Sequence, residues 1–124
     1  KATGQTDPVY SDDAAARAAG HPALPVPPTF LFCLEMESPS PAAIRELLGL
    51  DYRRILHGEQ GFTFHRMAFA GEQLTFQQRI EDIYDKKGGA LEFIVKETAV
   101  TRADGSLVAD LKTVIVVRNP GAGK

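Results

Sequence analysis

The stretch Thr29-Phe-Leu-Phe-Cys-Leu-Glu-Met36, "TFLFCLEM", is apolar at consecutive positions rather than at alternate ones, so it offers no solvent face. Such a run is either a buried strand or a buried helix. It follows Pro27 and Pro28, and Thr29 is a suitable N-cap, which favours a buried helix. That reading decides the fold, because everything after residue 55 has the period of strands. "LHGEQGFTFHR" (56–66) places Phe62 and Phe64 on one face. "EQLTFQQRIEDIYDK" (72–86) sets Leu74, Phe76, Ile80 and Tyr84 against Thr75, Gln77, Arg79 and Glu81. "LEFIVKETAVT" (91–101) carries Leu91, Phe93, Val95 and Ala99 on one face, and "LVADLKTVIVVR" (107–118) ends apolar on both. The joins "KKGG" (86–89) and "ADGS" (103–106) read as hairpin turns, Asp104-Gly105 most strongly. Four long antiparallel strands in a meander, wrapped round one apolar helix, satisfy this pattern.

Upstream, "SDDAAARAAG" (11–20) reads as a short helix, with Ser11 as cap, Asp12 and Asp13 at the positive end and Gly20 as stop. "HPALPVPP" (21–28) holds four prolines and is a stiff, irregular connection. Downstream of the apolar run, "SPSP" (38–41) ends the helix, and Ser40 caps a second one with Pro41 at its first position and Gly49 at its end. Ile44, Leu47 and Leu48 form the stripe that this second helix would bury. Residues 119–124 read as a tail.

At 124 residues the chain is expected to form one domain over 1–124, 44% hydrophobic and 24% charged. It begins Lys-Ala-Thr-Gly and enters patterned sequence at once, so a preceding segment carrying a further strand is expected. A formal net charge of −2 without a charge run gives no reason to expect nucleic acid or an anionic membrane as partner. No apolar stretch is long enough to span a bilayer. The single Cys33 cannot form an internal disulfide, which fits the cytoplasm. No phosphate-binding loop, dinucleotide fingerprint or Cys/His metal cluster occurs, and neither cofactor nor metal is expected.

Several stretches together resemble one known family. They are "DPVYSDDAAARAAGH" (7–21), "PPTF" (27–30), "LHGEQGFTFHR" (56–66), "AGEQLT" (70–75), "YDKKGGALEFIVKET" (84–98) and "ADGSLVA" (103–109). They are similar to the N-terminal, FAS1-type half of MaoC-like hydratases and dehydratases. The resemblance implies an α+β hot-dog fold and a substrate that is an acyl thioester of coenzyme A or acyl carrier protein. Family members hydrate a trans-2-enoyl group or dehydrate a (3R)-3-hydroxyacyl group. Their catalytic form carries D-x-N-P-[IV]-H. Aligned on Pro8, this chain has Gln5 for the aspartate, Asp7 for the asparagine and Tyr10 for the histidine. Hydration needs a base for water and an acid for the α-carbon. Gln5 does not titrate, and a phenol has an unperturbed pKa near 10. The resemblance therefore implies the half that binds substrate while a second hot-dog chain or repeat brings the Asp/His pair, in a heterodimer or homodimer joined edge to edge.

The remaining candidates each carry a structural alternative. Asp7, Tyr10 and Asp12 either form a polar site facing a ligand or serve a loop before a helix. His21 is a replacement base or a helix-end residue beside the negative dipole end. His57 and His65, eight apart, fall on one face unless a bulge at Gly58 upsets the count; without a carboxylate pair nearby they make a poor metal site and are sheet-surface residues at a subunit interface, or, for His57, a substrate contact. Glu35 and Glu37 are the base of an acyl-CoA thioesterase or mark the helix end as it emerges to solvent. Thr29 and Phe30 are the remaining oxyanion donors, since Pro27 and Pro28 have no N–H. Phe30, Phe32 and Leu34 line the core or an acyl groove, and Cys33 is inert packing. A homodimeric acyl-CoA-binding module is the third functional alternative.

Overall fold

The computed structural model describes residues 3–37 and 43–120. Five helices or turns lead into four strands, the last of them a 3-10 turn over Tyr52–Arg54. A 3-10 turn spans Pro8–Tyr10, followed by α1 (Asp13–Ala18), α2 (Phe30–Met36) and α3 (Ala43–Leu47). The strands are β1 (Ile55–Phe64), β2 (Leu74–Lys86), β3 (Leu91–Arg102) and β4 (Leu107–Arg118). All pair antiparallel in the order β1-β4-β3-β2. The meander therefore holds only for β2 to β4. β1 crosses over to pair with β4, so that both β1 and β2 are edges.

α2 lies on one face of this sheet. Leu31 joins Ala68, Val100, Val108, Ala109 and Leu111 in the core, and Leu34, Phe62, Leu74 and Phe76 pack against it. Each such Leu or Val contributes roughly 1.5–3 kcal/mol when fully buried. The apolar run is thus a helix, but not one buried all round. Leu31 and Glu35, one turn apart, are its buried residues. Phe30 (47%) and Met36 (55%) remain exposed, and Cys33 is an exposed thiol rather than inert packing. Thr29 precedes the helix in a helical conformation and makes no side-chain cap bond.

Three other local expectations change. Asp12, not Ser11, caps α1, accepting from the Ala14 N–H at 3.0 Å. Ser11 instead closes the Pro8–Tyr10 turn through its own N–H. The stripe assigned to α3 is not buried, since Leu47 is 80% exposed. Ser40, Pro41, the 38–41 helix stop and residues 121–124 lie outside the described residues, as does the Ile44 side chain.

A register shift between Val100 and Thr101 skips Val108 on β4, and two further bulges set the faces of the sheet. One falls between His57 and Glu59, the other between Ile80 and Asp82. Phe62 and Phe64 lie opposite Leu111 and Ala109 on the covered face, and beyond the first bulge His57 lies opposite Ile115 on that same face. His65 falls on the other parity, so the two histidines do not share a face. The second bulge likewise removes Tyr84 from the face of Phe76. Tyr84 pairs with Phe93 and stacks on it at 4.9 Å, on the face away from α2. The Asp104-Gly105 turn forms as expected, with Gly105 at φ +85°. No described helix is long and apolar enough to cross a membrane.

Candidate functional site

Two clefts flank α2. The first, about 260 Å³, lies at the start of the helix and takes its walls from Tyr10, Pro28, Leu31, Phe64, His65 and Arg66, among others. Three pieces of backbone assemble it. Asp7 accepts from the Val9 N–H at 3.1 Å and, with Pro8, winds the turn that ends in Tyr10. Residues 24–26 run beside 68–70, with the Val26 N–H on the Ala68 carbonyl and the Ala70 N–H on the Leu24 carbonyl, both at 2.7 Å. The chain leaving β1 is tied to β4 by the N–H groups of His65 and Arg66, which donate to the Val108 carbonyl at 2.8 and 3.1 Å. The second cleft, about 450 Å³, lies past the end of α2 among Met36, Arg45, Tyr52, His57 and Ile115.

Of the two degenerate dyad positions, only Tyr10 reaches a cleft. Gln5 is exposed and spends its side-chain oxygen on the Asp7 N–H at 3.0 Å. Asp7 is also exposed and is committed to its turn. His21 closes α1, its N–H on the Ala16 carbonyl and its ring 5.7 Å from that of Phe69. It does not line either cleft. His57 belongs to the second cleft, with its ring 5.5 Å from Phe32 and its Nε2 3.1 Å from the Glu59 carbonyl. Thr29 and Phe30 are exposed. The Phe30 N–H already donates to the Pro27 carbonyl at 2.9 Å, so Thr29 alone remains of the two oxyanion donors.

Glu35 does not emerge to solvent. It is 3% exposed, and its Oε1 accepts from Thr98 Oγ1 at 2.6 Å and Gln78 Nε2 at 2.7 Å, with Lys96 Nζ at 3.1 Å. Three partners on one oxygen fasten the helix to the sheet, and Glu35 does not line either cleft. Its Oε2 is buried and has no partner among the described residues. Glu37 is exposed where α2 ends.

Sequence reasoning passed over a polar pair on the sheet face away from α2, just behind the first cleft. His65 Nε2 lies 2.9 Å from Asp110 Oδ2. The partners are 45 residues apart, and only the β1–β4 pairing brings them together. Arg66 stands beside them, its Nη1 donating to the Leu107 carbonyl at 2.8 Å. The first cleft therefore sets the residue Tyr10 against a largely apolar wall, the usual make-up of a small-molecule site. No group of three His, Cys, Asp or Glu side chains suited to a metal ion occurs among the described residues.

Comparison with known proteins bears on this arrangement. Residues 1–111 match the model of the FAS1-like dehydratase domain region. A UPF0336 protein of Saccharopolyspora erythraea is 35% identical over 111 residues, which are 90% of this chain and 70% of that protein. Among solved structures, the ChsH1–ChsH2 complex of Mycobacterium tuberculosis matches with a TM-score of 0.74 at 26% identity, covering 97% of this chain and 78% of that one. The truncated HadBC (3R-hydroxyacyl-ACP dehydratase) complex from the same organism matches with a TM-score of 0.74 at 25% identity, covering 93% and 79%. A MaoC-like dehydratase at 24% identity shares the fold, with a TM-score of 0.77 over 92% of this chain and 34% of that one. The sheet and helix are a hot-dog fold.

Proposed function

This chain belongs to the FAS1-like dehydratase-domain family, and from that membership we propose that it is the accessory, substrate-binding hot-dog subunit of a (3R)-specific enoyl-thioester hydratase or 3-hydroxyacyl-thioester dehydratase, working in the cytoplasm. One observation carries the reading. The position of the family histidine faces the first cleft, but it holds Tyr10, and the position of its aspartate holds an exposed Gln5 bonded to its own loop. The cleft can bind an acyl thioester, while the family's proton-transfer pair must come from elsewhere. Each missing acid or base costs about 10²–10⁴-fold in rate.

The two sheet edges support a partner on one side. β2 carries Arg79, Glu81, Asp82, Asp85 and Lys86, charges that discourage strand addition. β1, with Glu59 as its sole carboxylate and no Lys or Arg, offers a largely uncharged edge. Exposed Leu56 and Phe64 lie at its two ends. A second hot-dog chain joining at β1 would continue the sheet and reach the first cleft at Phe64. The ChsH1–ChsH2 and HadBC structures are complexes, in keeping with this arrangement.

The test is co-expression with a hot-dog chain from the same genome that keeps D-x-N-P-[IV]-H. A heteromer on size exclusion that binds butyryl-CoA is expected. Separate elution of the two chains, with no thioester bound by either mixture or isolated chain, contradicts the proposal.

A further inference from the structure

The second cleft, about 450 Å³, has the size of a small-molecule site, and thioester binding at the first cleft leaves it unused. Its walls are mostly aliphatic, from Met36, Leu50, Ile55 and Ile115. The β1–β4 register puts Ile55, His57 and Ile115 on the covered face. The His57 ring is fixed beside them, its Nε2 donating to the Glu59 carbonyl at 3.1 Å. Two short pieces of backbone bring the polar groups. α3 closes with the Leu50 N–H on the Arg45 carbonyl at 3.0 Å, and the turn capped by Asp51 presents Tyr52. The Arg45 guanidinium then lies 4.9 Å from the centre of the Tyr52 ring. Such a contact uses the flat face of a guanidinium and leaves its in-plane N–H donors open. Arg53 and Arg54 have Asp51 as counter-ion, whereas Arg45 has no ion-pair partner among the described residues.

One oriented cation without a counter-ion, set at an aliphatic cleft, complements a single negative charge joined directly to an apolar chain. We propose that the second cleft binds a free aliphatic carboxylic acid, with its carboxylate forked by Arg45 and its chain laid along Ile55, Ile115 and Met36. The planar guanidinium matches the two carboxylate oxygens, and one positive charge balances one negative charge. Tyr52 is a positioning residue that holds the guanidinium flat. The site stands apart from thioester binding at the first cleft and does not depend on it.

Calorimetry on the full chain with octanoate, hexanoate and 1-octanol tests it. Octanoate should bind about tenfold or more tighter than 1-octanol, the gain expected of a charge-assisted pair. Hexanoate, two methylenes shorter, should bind about 4–15-fold more weakly than octanoate. Arg45→Gln should remove the advantage of octanoate over 1-octanol, and Arg45→Lys, which keeps the charge without the fork, should restore part of it. In methyl spectra of the wild type, the Ile55 and Ile115 resonances should shift with octanoate and saturate. Inorganic phosphate at the same concentration should not displace the acid. Equal affinity for 1-octanol, an advantage that survives Arg45→Gln, unmoved Ile55 and Ile115 methyls, or displacement by phosphate would overturn the assignment.

Discussion

Thr98, buried on β3, donates its hydroxyl to Glu35 Oε1 at 2.6 Å and so joins the middle of the sheet to the central helix. Lys96, two residues along the same face, neutralises the carboxylate from 3.1 Å, and Gln78 reaches it from the facing position on β2. Breaking a buried pair from one side strands a charge. Lys96→Met should therefore destabilise the chain by about 3–5 kcal/mol, whereas Glu35→Leu combined with Lys96→Met should cost much less. Urea denaturation of the three proteins checks this. A single variant no worse than the double would show that the pair is not coupled.

The β1 bulge rests on a missing side chain. A Cβ at Gly58 would lie 2.7 Å from Val116 Cγ2 and 3.2 Å from the Val114 carbonyl, while one at Gly61 would meet nothing closer than 3.7 Å. Val116 is β-branched and cannot swing away freely. Gly58→Ala should cost roughly 1–3 kcal/mol by overpacking, and Gly61→Ala distinctly less. Chemical denaturation measures both, and amide exchange along β1 should quicken in the first variant only.

Asp51 gives a pH dependence. The Arg53 side chain grips its carboxyl at 3.0 and 3.2 Å and the Arg53 N–H adds a third bond at 3.0 Å, which together hold its pKa below the ordinary 3.8. A carboxyl depressed by folding stabilises the fold above its unfolded pKa and loses that contribution as pH falls through the folded value. The urea midpoint of Asp51→Ala should therefore trail the wild type at pH 6, and the gap should close below pH 3.8. The site is exposed, so the gap should be small and should shrink with added salt.

The fold was legible where a period was long and unbroken. β4 begins and ends at the expected residues, and the apolar run is a helix as its prolines indicated. The strand order was not legible, because nothing local tells β1 to pair with β4 rather than β2. Face assignments failed at the bulges, since one inserted residue reverses every later parity. That is why Tyr84 was misplaced, while the bulge allowed for at Gly58 does part His57 from His65. Glu35 was misread for a related reason: its partners Gln78, Lys96 and Thr98 lie far along the chain. Tyr10 at the cleft was legible through its place after Pro8. The His65–Asp110 pair was not, because it exists only through the β1–β4 register.

Crotonyl-CoA hydration, followed at the loss of enoyl absorbance, tests the accessory role most directly. The purified chain should give no rate above the buffer background, and adding a hot-dog chain with an intact D-x-N-P-[IV]-H should produce hydration that neither component matches alone. Robust hydration by this chain alone, unchanged by the partner, would contradict the account.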